Sequence, residues 1–523
     1  MLRARELLDT LPEKWDPRAE QPEDHEGEFT RLSTPREEYL FDYRLSMTGD
    51  MSSIFRIFTD KEQPPTNAVF IRRLRTNDPN NVTEVATDGS CINNGQENAL
   101  AGAGVYFTMN DERNKSIKLP KMSGNTPLTL SNQAGELLAA KLAPELIRKE
   151  YHLRIETDSK YVISHLTTSL RKMEDNGYIG VENAPLIKAM VANYRTRESL
   201  TKIKWVKGHS GHPGNEAADD LAKKAVEKNE TDEVELNIPS ELQLSGAKLC
   251  VLTQSLAYNA IRIIKTRGTE DRRRTRQNLE LTKIQVKELF GISPRDVTIW
   301  RSIRSKDLER KTRYFLWMTI HDAYMTGTNW DRPGYSDEMR QRATCPHDHK
   351  TEDMTHILTG CESPGQEVIW NLVGELWARK TSTPEWEHPG LGVIMGAGLV
   401  QLTTRTGKRK SGEERLWRIL ISESAYLIWK LRCERVIQNE NTPFSQTEVK
   451  NRWTYMINER LQLDRRMTSW KYGKKSLSPG LVEATWKGLL KAEGLLPHDW
   501  VTNTGVLVGI ESDLRRRTGP RGR

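Results

Sequence analysis

Four carboxylates stand where a sheet protein can use them. In EVATDGSC, Glu84 to Cys91, the alternation of Val82, Glu84 and Ala86 predicts a half-buried strand that runs straight into Asp88 and a glycine-serine turn. LRIETDSKYV repeats the device, with Leu153 and Ile155 facing one side and Asp158 at the exit between Thr157 and Ser159. Glu136 falls in the first turns of a helix that begins at Asn132, and Asp219 in the first turns of one that begins at Asn215. Taken singly, Asp88 and Asp158 read equally well as Asx-turns at strand ends. Glu136 and Asp219 read equally well as compensation of a helix dipole, worth ~0.3–1 kcal/mol. Convergence changes this, because each like-charge pair about 4 Å apart costs roughly 1 kcal/mol at bulk-water dielectric and ~4 kcal/mol at an effective dielectric of 20. A fold that gathers all four needs cations. All-oxygen carboxylate sites suit Mg²⁺ or Mn²⁺, and two such ions stabilise the attacking and leaving oxygens of an in-line phosphoryl displacement.

The elements that must hold these groups run from Asn81 to Asn229. Strands are expected at VTEVATD, GAGVYFTM and SIKLP, then a helix over NQAGELLAAKLAPELIRKE, the strand LRIETDS and the helix KYVISHLTTSL. The helix APLIKAMVANYRTR, the strand LTKIKWVKG and the helix NEAADDLAKKAVEK complete the series. Three strands followed by alternating helices and strands predict an α/β fold, a mixed five-stranded sheet flanked by helices.

TDGSC, NQAGELLAA, TDSKYV and VKGHSGHPGNEAADDLA resemble, in order and spacing, the motifs of the type 1 ribonuclease H family, over Asn81 to about Lys228. The resemblance implies a ribonuclease H-like domain over 81–229. There Asp88, Glu136, Asp158 and Asp219 hold two Mg²⁺ ions, with Mn²⁺ able to substitute, and water cuts the RNA strand of an RNA–DNA hybrid to leave 3′-hydroxyl and 5′-phosphate ends. Neighbouring Asp220 does not align. His209 matches the family's mobile histidine, which assists proton transfer or product release; as a plain residue it is a loop histidine. His212 receives no chemistry. Gly89, Ser90, Asn132 and Gln133 occupy positions that line the minor groove and sense 2′-hydroxyls, and Lys160 lies along phosphates. Where many relatives carry a tryptophan-bearing basic protrusion, this chain has Met173 and Tyr178 among acids, which predicts hybrid affinity that is weaker or borrowed from elsewhere in the chain.

Around this domain the chain changes character. Residues 1–80 read as a charged, partly ordered extension in which only EEYLFDYRL and MSSIFRIF look like local structure, and 230–245 as an acidic, Pro-bearing linker. Two mainly helical regions are expected at 246–410 and 411–514, since 12 of the 14 tryptophans lie between Trp300 and Trp500 and long helical patterns dominate. A basic tail, 515–523, ends the sequence.

Within 246–410, CPHDHKTEDMTHILTGC gathers Cys345, His347, His349, His356 and Cys361. His356 and Cys361 have zinc-ligand spacing, and the segment looks like the Cys-Cys-His-Cys knuckle of non-LTR retroelement proteins. Asp348 occupies the position of the second cysteine, and either His347 or His349 is a candidate substitute, because zinc accepts mixed ligands. The other reading is a decayed knuckle whose remaining groups cap a helix turn. The wider helical half is similar to fungal retroelement-derived proteins with a ribonuclease H module.

Composition sets the outer limits. A net charge of +8, from 79 Lys and Arg against 71 Asp and Glu, favours a polyanionic partner such as nucleic acid. Five scattered cysteines oppose a disulfide framework. The start lacks an apolar signal segment, and the longest weakly polar run, Gly390 to Leu402, is too short to span a bilayer. These features predict an intracellular protein of the nucleus or cytoplasm with no membrane partner and leave the oligomeric state open. Against the hybrid nuclease stands a catalytically idle nucleic-acid-binding protein from a domesticated or decaying element.

Overall fold

The computed structural model describes residues 38–43, 52, 55–60, 82–381, 384–502 and 505–509. They divide into two units, Met1–Glu270 and Asp271–Arg523.

The first unit is built on a sheet. Its strands are β1 (Glu38–Leu40), β2 (Arg56–Ile57), β3 (Val82–Ile92), β4 (Leu100–Tyr106), β5 (Lys115–Lys118), β6 (Met122–Ser123), β7 (Thr126–Pro127), β8 (His152–Thr157), β9 (Thr201–Trp205) and β10 (Ala247–Lys248). Six of them form one sheet in the order β1-β9-β8-β3-β4-β5, with β2–β10 and β6–β7 as separate pairs. β3, β8 and β9 are mutually parallel, while β4 and β5 continue antiparallel from β3. All five expected strands are present, and the sheet gains a sixth from the N-terminal extension. β1 pairs antiparallel with β9, and Glu38 accepts from Arg154 at 2.9 Å and Lys202 at 3.2 Å, so charges on the neighbouring strands hold it at the edge.

Helices α1 (Asn132–Leu142), α2 (Lys160–Leu166), α3 (Leu170–Asp175), α4 (Ala184–Arg195), α5 (Pro213–Glu227) and α6 (Gln254–Thr266) complete the unit. α1 stops earlier than its periodicity suggests, because Pro144 cannot continue the hydrogen-bond ladder and the chain tightens into a 3₁₀ turn over Ala143–Leu146. The stretch 230–245, expected to be a linker, packs against this unit. Val234, Leu242 and Leu244 are buried, and Asp232 accepts from the Lys118 N–H at 2.6 Å and from Lys228 Nζ at 2.8 Å.

The second unit is helical: α7 (Arg273–Phe290), α8 (Asp296–Ser302), α9 (Arg310–Ile320), α10 (Asp337–Gln341), α11 (Gln366–Lys380), α12 (Leu391–Met395), α13 (Ser411–Ile437), α14 (Gln446–Arg466) and α15 (Pro479–Trp486). One hydrophobic cluster runs from Leu279 to Val508 and includes Trp370, Trp377, Trp417, Trp453, Trp486 and Trp500. Residues on both sides of the expected division at 410/411 therefore share a core. Among the described residues, no helix is long and apolar enough to cross a membrane.

Candidate active site

Asp88 does not end its strand. β3 continues to Ile92, paired with β4, but its parallel pairing with β8 stops at Ala86↔Glu156. Asp88 thus lies just past the point where the sheet parts, on a backbone still fixed from one side, and is only 8% exposed. Asp158 follows β8 directly and precedes Ser159, the N-cap of α2.

Glycines bring the two helix acids in. A Cβ at Gly104, the partner of Asp88 across β3–β4, would sit 2.0 Å from the Ala218 carbonyl oxygen, and one at Gly102 would sit 2.4 Å from that of Ala222. Only bare backbone lets α5 lie this close, which carries Asp219 toward Asp88. A Cβ at Gly89 would meet the Glu136 N–H at 2.2 Å and one at Gly135 the Gly102 oxygen at 2.4 Å, so α1 approaches the sheet by the same device. Gly104→Ala forces a clash with backbone, and such overpacking typically costs 1–3 kcal/mol. We expect a loss of about 1–3 kcal/mol in urea unfolding, with α5 and its Asp219 displaced from the sheet.

The carboxylates interact electrostatically. Burial, then the charge of Asp158, with Asp219 and Glu136 adding to it, pushes the Asp88 carboxyl up to about 7, against a hydrogen bond of 2.7 Å from the Gly89 N–H. Burial also pushes Glu136 upward, while Ser159 Oγ and Asn132 Nδ2, the latter at 2.8 Å, donate to its two oxygens. Asp219 is neutralised in part by Lys223, whose Nζ lies 2.6 Å away. Asn215 Nδ2 approaches Asp158 at 3.5 Å. Among the described residues, no three of these acids bring oxygens within 4.8 Å of one another. Each of the four instead has a donor close by: the Gly89 N–H at Asp88, Ser159 and Asn132 at Glu136, Asn215 at Asp158 and Lys223 at Asp219.

His209 is exposed, with φ of 51°, in the loop between β9 and α5. A Cβ at Gly208 would meet Asp158 Oδ2 at 2.2 Å, so this loop is pressed directly onto the acid. His212, assigned no chemistry, is structural: it caps α5 through the Asn215 N–H and lies 3.4 Å from Glu156. Of the expected substrate contacts, Gly89 is buried, Ser90 and Asn132 are half-buried, and Gln133 and Lys160 are exposed, with Lys160 Nζ 5.6 Å from the Trp205 ring centroid. Sequence reasoning missed Ser159, Asn215, Lys223 and the Gly102–Gly104 notch. The repeated small residues of LAGAGV were the only signal of that notch.

A family model described as RNase H matches residues 80–227. A ribonuclease H of Parvibaculum lavamentivorans is 33% identical over 150 residues, 28% of this chain and 92% of that protein. This chain belongs to the ribonuclease H family. A ribonuclease H of Zymomonas mobilis is 35% identical over 150 residues, covering 28% of this chain and 88% of its own, and one of Saccharomyces cerevisiae is 32% identical over 167 residues, covering 28% and 47%. The ribonuclease H domain meets the chemical requirement for divalent cations: its four acids offer only oxygen donors, and burial and crowding already disfavour the ionised form of Asp88 unless positive charge is supplied.

The Cys/His segment lies in the second unit. There Cys345, Asp348, His356 and Cys361 come together, while His347 and His349 stay outside the group. The aspartate, not a flanking histidine, stands in the fourth position. The turn that carries it gives His349 a φ of 57° and leaves that residue exposed.

Proposed function

We propose that the first unit hydrolyses the RNA strand of RNA–DNA hybrids by in-line attack of water, with Asp88, Glu136, Asp158 and Asp219 holding two divalent cations, Mg²⁺ or in its place Mn²⁺. The observation behind this reading is the state of Asp88, a buried carboxyl held at about 7 by its surroundings and by three neighbouring acids. Such ions supply an activated water and stabilise both the attacking and leaving oxygens. Asp88 and Asp158 lie just beyond the last paired residues of the adjacent parallel strands β3 and β8. Ser159 and Asn132 aim Glu136, and Asp219, paired here with Lys223, would be the fourth acid to hold the ions. His209, on a glycine-flanked loop, carries a proton or helps product depart. Gly89, Ser90, Asn132 and Gln133 take the minor groove with its 2′-hydroxyls, and Lys160 takes a phosphate. The knuckle-like segment and the helical half support descent from a fungal retroelement.

A hybrid labelled on its RNA strand, titrated with Mg²⁺, tests the reading. Wild type should cut that strand alone, and Asp158→Asn should lose more than about 100-fold in rate, beyond the range for a residue that only orients a ligand. Hybrid binding by the variant should persist. If wild type binds without turnover in saturating Mg²⁺ or Mn²⁺, the chain is an idle nucleic-acid-binding protein instead.

A further inference from the structure

The second unit contains a set of buried polar groups separate from the four acids of the first. Cys345 Sγ and Cys361 Sγ lie 3.9 Å apart, and His356 Nε2 lies 3.4 Å from Asp348 Oδ1. One donor atom from each of the four falls within 4.8 Å of all the others. Cys345 is 0% and Cys361 7% exposed, and the side chains of Asp348 and His356 are 2% and 7% exposed. His356 Nε2 is buried without a hydrogen-bond partner, an arrangement that is normally destabilising.

We infer that these four residues form a structural zinc site in which Asp348 is the fourth ligand. Zn²⁺ binds sulfur near 2.3 Å and nitrogen or oxygen near 2.0 Å, so tetrahedral ligand atoms sit about 3.3–3.8 Å from one another. The two measured separations fall close to that range. The donor set is complete without water, which marks a structural centre, since a catalytic zinc keeps a position open.

The surrounding backbone is arranged for this purpose. A bridge between Thr344 and Thr351, with the Cys345 N–H donating to the Lys350 carbonyl at 2.8 Å and the His349 N–H to the Cys345 carbonyl at 3.0 Å, closes a tight turn. The N–H groups of Lys350 and Glu362 hold the two oxygens of Asp348 at 3.3 and 3.4 Å. Asp353 caps the His356 N–H at 2.8 Å, and the π-helical turn His356–Gly360 returns the chain to Cys361. Met354, Ile357 and Leu358 enter the hydrophobic core between the ligands, so zinc would fasten the excursion to that core.

The test uses the full chain, purified under reducing conditions and dialysed against a chelating resin. One zinc per chain is expected. After exchange, Co²⁺ should give thiolate-to-cobalt charge transfer and tetrahedral d–d bands, which an all-carboxylate centre in the first unit cannot produce. Asp348→Asn should weaken Co²⁺ binding by at least about 10- to 100-fold. Asp348→Cys should restore it with a stronger charge-transfer band, which separates loss of a ligand from loss of the fold. His347→Gln and His349→Gln should change neither zinc content nor spectrum. The inference is overturned if wild type holds no zinc and shows no sulfur-to-cobalt band. It is also overturned if Cys345 and Cys361 are isolated as a metal-free disulfide, or if a flanking-histidine variant loses the spectrum while Asp348→Asn keeps it.

Discussion

Asp88→Asn should abolish hybrid cleavage and at the same time make the metal-free first unit more stable at pH 8. An aspartate in an unfolded chain titrates near about 3.9, whereas Asp88 in the fold is pushed up to about 7 by burial and by Asp158. Between those values the folded state keeps a proton that the unfolded chain has released. The stabilisation from this group is therefore complete below about pH 4, declines as pH rises, and is gone above about pH 7. Asparagine cannot ionise and retains it. That displacement corresponds to about 4 kcal/mol, an upper value, because relaxation of the neighbouring acids takes up part of it. Hydrogen exchange of peptides from β3 and β4, compared between the two proteins at equal pH, isolates this unit from the rest of the chain. The variant should be more protected by up to about 4 kcal/mol at pH 8 and indistinguishable at pH 4. Added Mg²⁺ should protect wild type far more than the variant, since only a ligand that binds the folded state shifts the balance. Equal or lower protection in the variant at pH 8 would mean the four acids are not crowded, and the proposed cation site would lose its physical basis.

How far the sequence reveals this site depends on which interactions are local. Period-two alternation located β3 and β8, and the exits at Asp88 and Asp158 followed from it. The strand's continuation to Ile92 did not, because it depends on pairing with β4, a partner that a strand's own residues do not specify. Glu136 and Asp219 are ordinary helix acids until α1 and α5 are seated on glycines of the sheet. That seating is a property of two elements at once, legible only as small residues at alternate positions in LAGAGV. The sixth strand was visible as local structure in EEYL but not as part of the sheet, since its anchor is Arg154, more than a hundred residues away.

The Cys/His segment shows the converse. The resemblance to a knuckle made His347 or His349 a candidate replacement for the missing cysteine, since zinc accepts mixed ligands. In the structure the N–H groups of Lys350 and Glu362 hold the carboxylate of Asp348, which groups with Cys345, His356 and Cys361 while both histidines stay outside. Likewise, the acidic stretch 230–245 looks solvated by composition, yet Asp232 is held by Lys118 and Lys228, and its apolar residues are buried.

Asp464→Ala should be the most damaging single change in the second unit. Its carboxylate accepts from Arg415 at 2.6 and 2.7 Å, from Arg460 Nε at 3.1 Å and from Trp486 Nε1 at 2.9 Å, and the residue is 1% exposed. Burial opposes its charged form, but the Arg415 hydrogen bonds and the charges of Arg460 and Arg415 outweigh burial and hold it below the usual carboxylate range. Truncation leaves two buried guanidinium groups short of their counter-charge, a loss of about 3–5 kcal/mol. The network also joins α13, α14 and α15 to Asp307, which lies 2.9 Å from Arg415, so the damage should reach the whole core. Since 12 of the 14 tryptophans fall between Trp300 and Trp500, urea unfolding followed by tryptophan fluorescence reports mainly on this unit. The wild-type transition should weaken as pH falls through the depressed titration of Asp464, whereas Asp464→Asn should lack that dependence. Arg415→Met combined with Asp464→Leu should recover the part of the single-variant loss that comes from stranding Arg415, while Arg460 keeps Glu423. If the single truncation costs less than about 1 kcal/mol, the range of an exposed pair, water reaches this cluster and it is not the pin that fixes the helices in register.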